Sequence, residues 1–351
     1  MNDDFATAMR RSLALTRAGD PGAATRAIQE HLNGGTMPAA TATRTLRTRA
    51  PLGDVLKGLA GKVNGMPQPS AVSVPLAPGA TFEPRQYSGP HGARSYHLYV
   101  PSCDKAHLRG LIVMLHGCTQ NAQDFAAGTG MNAHAERNNM LVAYPEQTQG
   151  HNAQRCWNWF EPGHQSAASG EPALLAGLAT ELVRDFGLPA GCTFAAGLSA
   201  GGAMAAILGA TLPDVFRAVG VHSGLAPGAA RDVMSAFAAM RGDDTARNLS
   251  LPCAAIVFHG AGDTTVAPVN ASRLTGTLSD ARRTTGTAGG RGYSVTSGKT
   301  GEGHPMELWM VERTGHAWSG GSRQGSYADP AGPDASAEMM RFFNMMIESD
   351  K

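Results

Sequence analysis

The chain has 351 residues, 42% of them apolar, with 44 Gly and 21 Pro, a composition that excludes a fibre or a disordered tail and suits one large domain plus an appendage. Its 29 Lys and Arg against 28 Asp and Glu leave a net charge of +1, so no broad field draws it to nucleic acid or to an anionic membrane surface. No apolar run approaches the roughly 20 residues of a spanning helix, and the opening residues Met1 to Phe5 lack the basic and apolar stretches of a secretion signal, so a soluble, cytoplasmic chain with no membrane span is expected.

In chain order, residues 1–75 read as a short helical N-terminal extension. Residues 3–17 and 21–32 carry amphipathic helix patterns, the second with Pro21 in its first turn and Asn33-Gly34-Gly35 as a stop, and residues 52–63 form a third candidate. Nine Lys and Arg against five Asp and Glu make residues 1–70 more basic than the rest. The segment reads either as a surface appendage or as a docking element for a hydrophobic particle or a partner.

Residues 76–351 have a different pattern. Short β-branched or apolar runs at residues 97–100, 111–115, 140–144, 193–196, 218–222, 254–258 and 306–311 alternate with helical patterns that include 172–186, 202–210 and 336–347. Alternation of this kind implies βαβ units, an α/β class, and a mostly parallel central sheet with helices on both faces. The Thr-, Gly- and Arg-rich stretch 274–303 is expected to be the least ordered part of this domain, an excursion between the last strands. The five cysteines, Cys103, Cys118, Cys156, Cys192 and Cys253, are an odd number without a Cys-x-x-Cys pair. That spacing fits neither a zinc ligand set nor a disulfide framework, although one disulfide is possible.

Gly197-Leu198-Ser199-Ala200-Gly201 follows one apolar run and precedes an Ala-rich helical pattern. Strand, sharp turn and helix is the context of a nucleophile elbow, in which small neighbours let the backbone crowd itself and expose the serine. The chain is therefore expected to have the α/β-hydrolase fold, with residues 76–351 as its catalytic domain. A serine hydroxyl needs a base, and the base needs a group that fixes its tautomer; on this fold they follow in the order acid, then histidine. Asp263, in the turn after the run 254–258, is the expected acid. His316, in Gly315-His316-Ala317-Trp318 after the run 306–311, is the expected base. The rivals are Asp280 and Asp329 among the acids and His222, His259 and His304 among the bases; His259 reads as a packed histidine and His222 comes too early in the chain. For the oxyanion, one amide is that of Ala200 and the other is expected from Cys118, directly after the run 111–115 and His116-Gly117.

The blocks His116-Gly117-Cys118-Thr119-Gln120-Asn121, Cys156-Trp157-Asn158-Trp159-Phe160, Gly197 to Gly202, His259-Gly260-x-x-Asp263 and Gly315 to Trp318 together resemble the polyhydroxybutyrate depolymerase family of esterases, and within it the type 1 catalytic domain of short-chain-length polyhydroxyalkanoate depolymerases. The resemblance covers about residues 80–351. It implies a serine esterase acting on poly(3-hydroxybutyrate), its oligomers or other short-acyl esters, with no metal and no cofactor. It further implies substrate contacts at Asn152 and Trp157, with Trp159 left to packing, and Cys118 and Cys156 close enough to form a disulfide in an oxidising compartment. The family's extracellular type makes a secreted chain the alternative to a cytoplasmic one. The implied partners are a polyester or oligoester and, for the N-terminal segment, a polymer granule surface. Related esterases use the same core on feruloyl, acetyl or aromatic-polyester bonds, and an inactive granule-coating protein is the reading from outside the enzymes.

Overall fold

A computed structural model describes residues 74–243 and 251–349, so the helices expected over residues 3–17, 21–32 and 52–63 lie outside the described residues. Unbroken apolar runs make the centre of the fold. β3 (Gly110–Leu115), β4 (Met140–Pro145), β5 (Thr193–Leu198), β6 (Ala218–His222) and β7 (Ala254–Gly260) are buried at every residue. Strands covered on both faces need no polar side, which is why they read as continuous rather than alternating hydrophobic sequence. Their side chains nevertheless alternate between two cores: Leu111, Val113 and Leu115 belong to one, Ile112 and Met114 to the other.

These strands join β1 (Thr81–Gly89), β2 (Gly92–Val100), β8 (Ser279–Ala288), β9 (Arg291–Lys299) and β10 (Pro305–Val311) in one sheet. Among the described residues the sheet has ten strands in the order β1-β2-β4-β3-β5-β6-β7-β10-β9-β8. From β4 through β3, β5, β6 and β7 to β10 all neighbours run parallel, while β2 meets β4, and β9 meets β10, antiparallel. The carboxyl ends of β3, β5, β7 and β10 therefore share one edge of the sheet, where ligand sites of such sheets form.

One core is covered by α3 (Gly170–Phe186) and α4 (Ala200–Thr211), joined by residues of α5 (Val233–Arg241) and α6 (Val269–Thr275); the other is covered by α1 (Ala122–Thr129), α2 (Met131–Asn138) and α7 (Ala335–Glu348). α7 buries Met339, Phe342, Phe343 and Met346, a stripe at helical spacing worth roughly 2 kcal/mol per side chain. Phe343 stacks on Phe194 of β5 with ring centroids 4.6 Å apart. Polar side chains start α1 and α7: Asn121 accepts from the Asp124 amide at 2.8 Å and Asp334 from the Ala337 amide at 2.9 Å. This is the α/β-hydrolase arrangement, and among the described residues no helix is long and apolar enough to cross a membrane.

Residues 274–303 differ from the expected excursion. They finish α6 and then form the β8–β9 hairpin, which extends the sheet beyond β10. Its two-residue turn is Gly289-Gly290, with φ of 54° and 81°, the left-handed pair that matches the twist of hairpin strands. β8 is exposed along nearly its whole length, so it carries none of the hydrophobic periodicity by which a strand is read.

Two buried histidines at strand ends are built to be neutral. His116 Nδ1 lies 2.7 Å from the Gly117 carbonyl, so it carries the proton, and Nε2 accepts from the Gln147 amide at 3.0 Å. His222 Nδ1 faces Ser223 Oγ at 3.1 Å and Nε2 accepts from the Ser319 amide at 3.0 Å. Burial pushes His116 down to about 4 and His222 down to about 3, with the nearby His259 and His316 adding to the second. Unfolded histidines take up protons near pH 6.5 while these two stay neutral, so stability falls as the pH drops below about 6.5 and goes on falling towards about 4. Urea unfolding should lose roughly 2 to 3 kcal/mol per histidine between pH 7 and 4.5; an unchanged unfolding free energy over that range would contradict this account.

Candidate active site

Ser199 occupies the turn between β5 and α4 with φ 58° and ψ −119°, a strained conformation for a residue with a side chain and one that holds Oγ clear of the turn. The turn is possible only because its neighbours are glycines. A Cβ on Gly201 would stand 2.0 Å from the Leu115 carbonyl oxygen, and one on Gly197 would stand 2.4 Å from the Gly201 backbone. The Ser199 amide donates to the His222 carbonyl at 2.9 Å, which ties the turn to the neighbouring strand. α4 begins at Ala200, so its N-terminal dipole points at the space in front of Ser199.

Asp263 sits in the turn after β7. Its Oδ1 accepts from the amides of Thr265 and Val266, each at 2.9 Å, and its Oδ2 accepts from His316 Nδ1 at 2.7 Å. Burial opposes the charge on Asp263, but the His316 hydrogen bond and charge and the Val266 amide outweigh it and hold the carboxyl below its ordinary value. The two loops are clamped together, because Gly262 N–H donates to the Thr314 carbonyl at 3.0 Å and a Cβ on Gly260 would meet that same oxygen at 2.3 Å. With Nδ1 committed to Asp263, His316 is left with Nε2 for other chemistry. Ser199 and His316 line the same cavity, and no hydrogen bond joins their side chains in this structure; such contacts commonly tighten only when substrate is present.

The rivals are otherwise engaged. His259 is fully buried, donates from Nε2 to the Val266 carbonyl at 2.8 Å and stands 3.6 Å from Asp263 Oδ2. His222 is buried behind Ser199. Asp329 pairs with Arg291 at 2.6 Å, and His304 lies 3.8 Å from Glu302 at the surface. Asp280 is exposed on β8.

The loop after β3 completes the edge. Gly117 N–H donates to Gln120 Oε1 at 2.9 Å, the Gln120 amide returns to the Gly117 carbonyl at 3.3 Å, and Thr119, at φ 67°, donates its amide to the Gln154 carbonyl at 2.8 Å. Cys118 is in a disulfide with Cys156, their Cα atoms 4.3 Å apart. Among the described residues, the amides of Cys118 and Ala200 have no acceptor. The cavity measures about 230 Å³ and is lined by Gly117, Cys118, Gln120, Leu198, Ser199 and His316, together with Met240, Thr265 and Tyr327. Nothing local in the sequence marks those last three, because they arrive from the end of α5, the Asp263 turn and the loop before α7.

Asn152 and Trp157, the expected substrate contacts, are not among the residues that line this cavity. Trp157 is 0% exposed, with the Arg94 guanidinium 5.6 Å from its ring and the His116 ring 5.9 Å away, so it is a packing residue like Trp159. The Asn152 amide is used within its own loop: Nδ2 donates to Asn158 Oδ1 at 2.8 Å, and Oδ1 accepts from the amides of Gln154 at 2.9 Å and Cys156 at 3.2 Å. Among the described residues no cluster of His, Cys, Asp and Glu could hold a metal ion.

Comparisons with known proteins bear on the family and the fold. Residues 94–300 match the family described as Esterase PHB depolymerase. Poly(3-hydroxyalkanoate) depolymerase C of Paucimonas lemoignei is 33% identical over 175 residues, 46% of this chain and 42% of that protein. Feruloyl esterase B of Neurospora crassa is 30% identical over 141 residues, 40% of this chain and 46% of that protein. The matches thus span less than half the length of these relatives. Among solved structures, an acetyl xylan esterase from Aspergillus awamori superposes with a TM-score of 0.58 at 17% identity, over 75% of this chain and 99% of that one, a likeness of fold. With more than half of its length matched by the family, the turns that hold Ser199 and Asp263 included, the chain belongs to the Esterase PHB depolymerase family.

Proposed function

We propose that the chain is a serine esterase in which Ser199, His316 and Asp263 form the catalytic triad. The observation that carries this reading is the convergence, on one cavity, of a serine on a strained glycine-flanked turn, a histidine oriented by a buried carboxylate at 2.7 Å, and Cys118, whose amide, like that of Ala200 next to the serine, has no acceptor among the described residues. Ser199 attacks the ester carbonyl while His316 Nε2 takes its proton. The amides of Cys118 and Ala200 receive the oxyanion, each worth about 3 kcal/mol in the transition state. His316 then protonates the leaving alcohol, and the same base activates the water that releases the acid. Asp263 stays ionised throughout and stabilises the imidazolium.

The substrate is a polyester or oligoester of short hydroxyacyl units, poly(3-hydroxybutyrate) and its oligomers first. A cavity of about 230 Å³ with Leu198, Met240 and Tyr327 in its wall suits a short uncharged acyl group, and the depolymerase relative supports the same class. The feruloyl esterase relative supports a second reading, an esterase for bulkier or plant-derived acyl groups. Residues 1–75 are proposed to dock the enzyme to a polymer granule. The disulfide beside the cavity supports an oxidising compartment, and so the secreted alternative over the cytoplasmic one.

Ser199→Ala should lose turnover of p-nitrophenyl butyrate by about 10⁴-fold or more at an unchanged melting temperature, and Asp263→Asn by a comparable factor; near-normal hydrolysis by either variant would refute the triad. Amorphous poly(3-hydroxybutyrate) granules should release 3-hydroxybutyrate with the full chain, poorly with a chain starting at residue 76, and not at all with Ser199→Ala. No release by either active form, beside rapid hydrolysis of methyl ferulate, would move the assignment to the second reading. Reducing the Cys118–Cys156 disulfide should lower kcat for p-nitrophenyl butyrate roughly tenfold with little change in KM, since it frees the loop that carries one oxyanion amide. An unaltered kcat after complete reduction would remove the disulfide from the oxyanion site.

A further inference from the structure

Glu171, in the first turn of α3, is 2% exposed, touches no part of the cavity, and gathers three N–H donors. Its Oε1 accepts from Gln147 Nε2 and from Asn158 Nδ2 at 2.9 Å, and its Oε2 accepts from the Asn158 amide at 2.8 Å. Arg94 stands 4.0 Å away and binds Gln147 Oε1, and His164 Nδ1 lies 3.7 Å from Oε2. Buried carboxylates with this many partners hold other groups in place.

Two hydrogen-bonded arms lead from Glu171 to Cys118. In the first, Gln147 gives its own amide to His116 Nε2 at 3.0 Å, and His116 Nδ1–H binds the Gly117 carbonyl at 2.7 Å. That carbonyl and the Cys118 N–H belong to one planar peptide unit, so fixing the oxygen fixes the direction of the N–H on the opposite side. In the second, Asn158 Oδ1 binds Asn152 Nδ2, Asn152 Oδ1 holds the amides of Gln154 and Cys156, and the Gln154 carbonyl takes the Thr119 amide at 2.8 Å. Gln147 Nε2 closes the circuit on the Cys156 carbonyl at 3.0 Å. Both neighbours of Cys118 in the chain are therefore held from the same carboxylate, in parallel with the disulfide.

We infer that Glu171 is a positioning residue for the oxyanion site, aiming the Cys118 amide through Gln147 and His116 on one side and through Asn158 and Asn152 on the other. The inference rests on the proposed role of the Cys118 amide. Hydrogen bonds that bear on the oxyanion alone act on the transition state and leave ground-state binding almost untouched. The low protonation tendency of buried His116 suits its place in the relay, since a protonated ring could not accept from the Gln147 amide.

The test is Glu171→Gln, which keeps volume and shape but turns one acceptor oxygen into a donor facing donors. Expected are a kcat for p-nitrophenyl butyrate lower by roughly tenfold to a hundredfold, a KM within about twofold of the parent, and a Ki for butylboronic acid, whose serine adduct carries the oxyanion, weakened by the same factor as kcat. A kcat and Ki at parental values overturn the inference however far the melting temperature falls, as does a matched loss in KM alone. If Glu171→Gln does not fold, Asn152→Ala, which cuts the outer arm at a partly exposed residue, decides by the same two readouts: a joint loss supports the relay and parental values overturn it. Ser199→Ala measured alongside separates the two levels. An inactive Ser199→Ala with a normal Glu171→Gln refutes only the relay, whereas an active Ser199→Ala refutes the esterase reading and the relay with it.

Discussion

The backbone of the Ser199 turn presses against the end of β3 so closely that only hydrogen fits at Gly201, where a Cβ would approach the Leu115 carbonyl oxygen to 2.0 Å. Much of the sheet edge depends on that approach. It brings the first turn of α4 beside the end of β3 and the loop that follows, and the proposed pairing of the Ala200 and Cys118 amides, which are far apart in sequence, depends on it. It also carries Ser199 into its strained conformation, and the bond from its amide to the His222 carbonyl helps to hold it there. The strain is of order 1 to 3 kcal/mol and persists because the sheet on either side leaves the chain no alternative path.

The histidines around this edge sort themselves by what their nitrogens do. His116 and His222 spend both ring nitrogens on backbone or hydroxyl partners in a dry interior. His259 spends one on a carbonyl and buries the other. His316 spends one on Asp263 and has the other uncommitted at the cavity. The proposed mechanism has a proton arrive there without breaking an existing hydrogen bond, beside the charge of Asp263. The same solvent exclusion that keeps its neighbours neutral makes Asp263 effective at short range.

The fold was legible wherever burial on both faces left a signature in the chain. β3 to β7 and β10 appear as apolar runs, and Ser199, Asp263 and His316 each follow such a run by a few residues, so the order of motifs already implied their meeting. β8 and β9 were not legible, because strands with Thr and Arg on both faces have no period to detect, although Gly289-Gly290 was a turn signal in plain view. α1 and α2 were missed for a related reason: Ala, Gly and Asn give a weak stripe, and tertiary packing rather than propensity holds them. Sequence reports residue type and not exposure, so neither the full burial of Trp157 nor the use of the Asn152 amide within its own loop is legible in it. An indole can form a wall or fill a core, and a carboxamide can meet a ligand or staple a loop. Met240, Thr265 and Tyr327 were beyond reach, since their common position exists only once three separate segments have packed.

The exposed outer strand has one more consequence. β8 is the last strand of the sheet among the described residues, ten residues long and open to solvent on both faces, the geometry onto which a strand from another molecule could add. Its sequence resists that. Arg282 and Arg283 would bring like charges together in a symmetric pair, and the register breaks between Ser279 and Arg282, which bends the rim out of line. The hairpin is thus a guard rail: it lengthens the sheet past its last buried strand and ends it in a surface that is poor at recruiting copies of itself, so the inner strands can be as apolar as the fold requires without making the molecule adhesive.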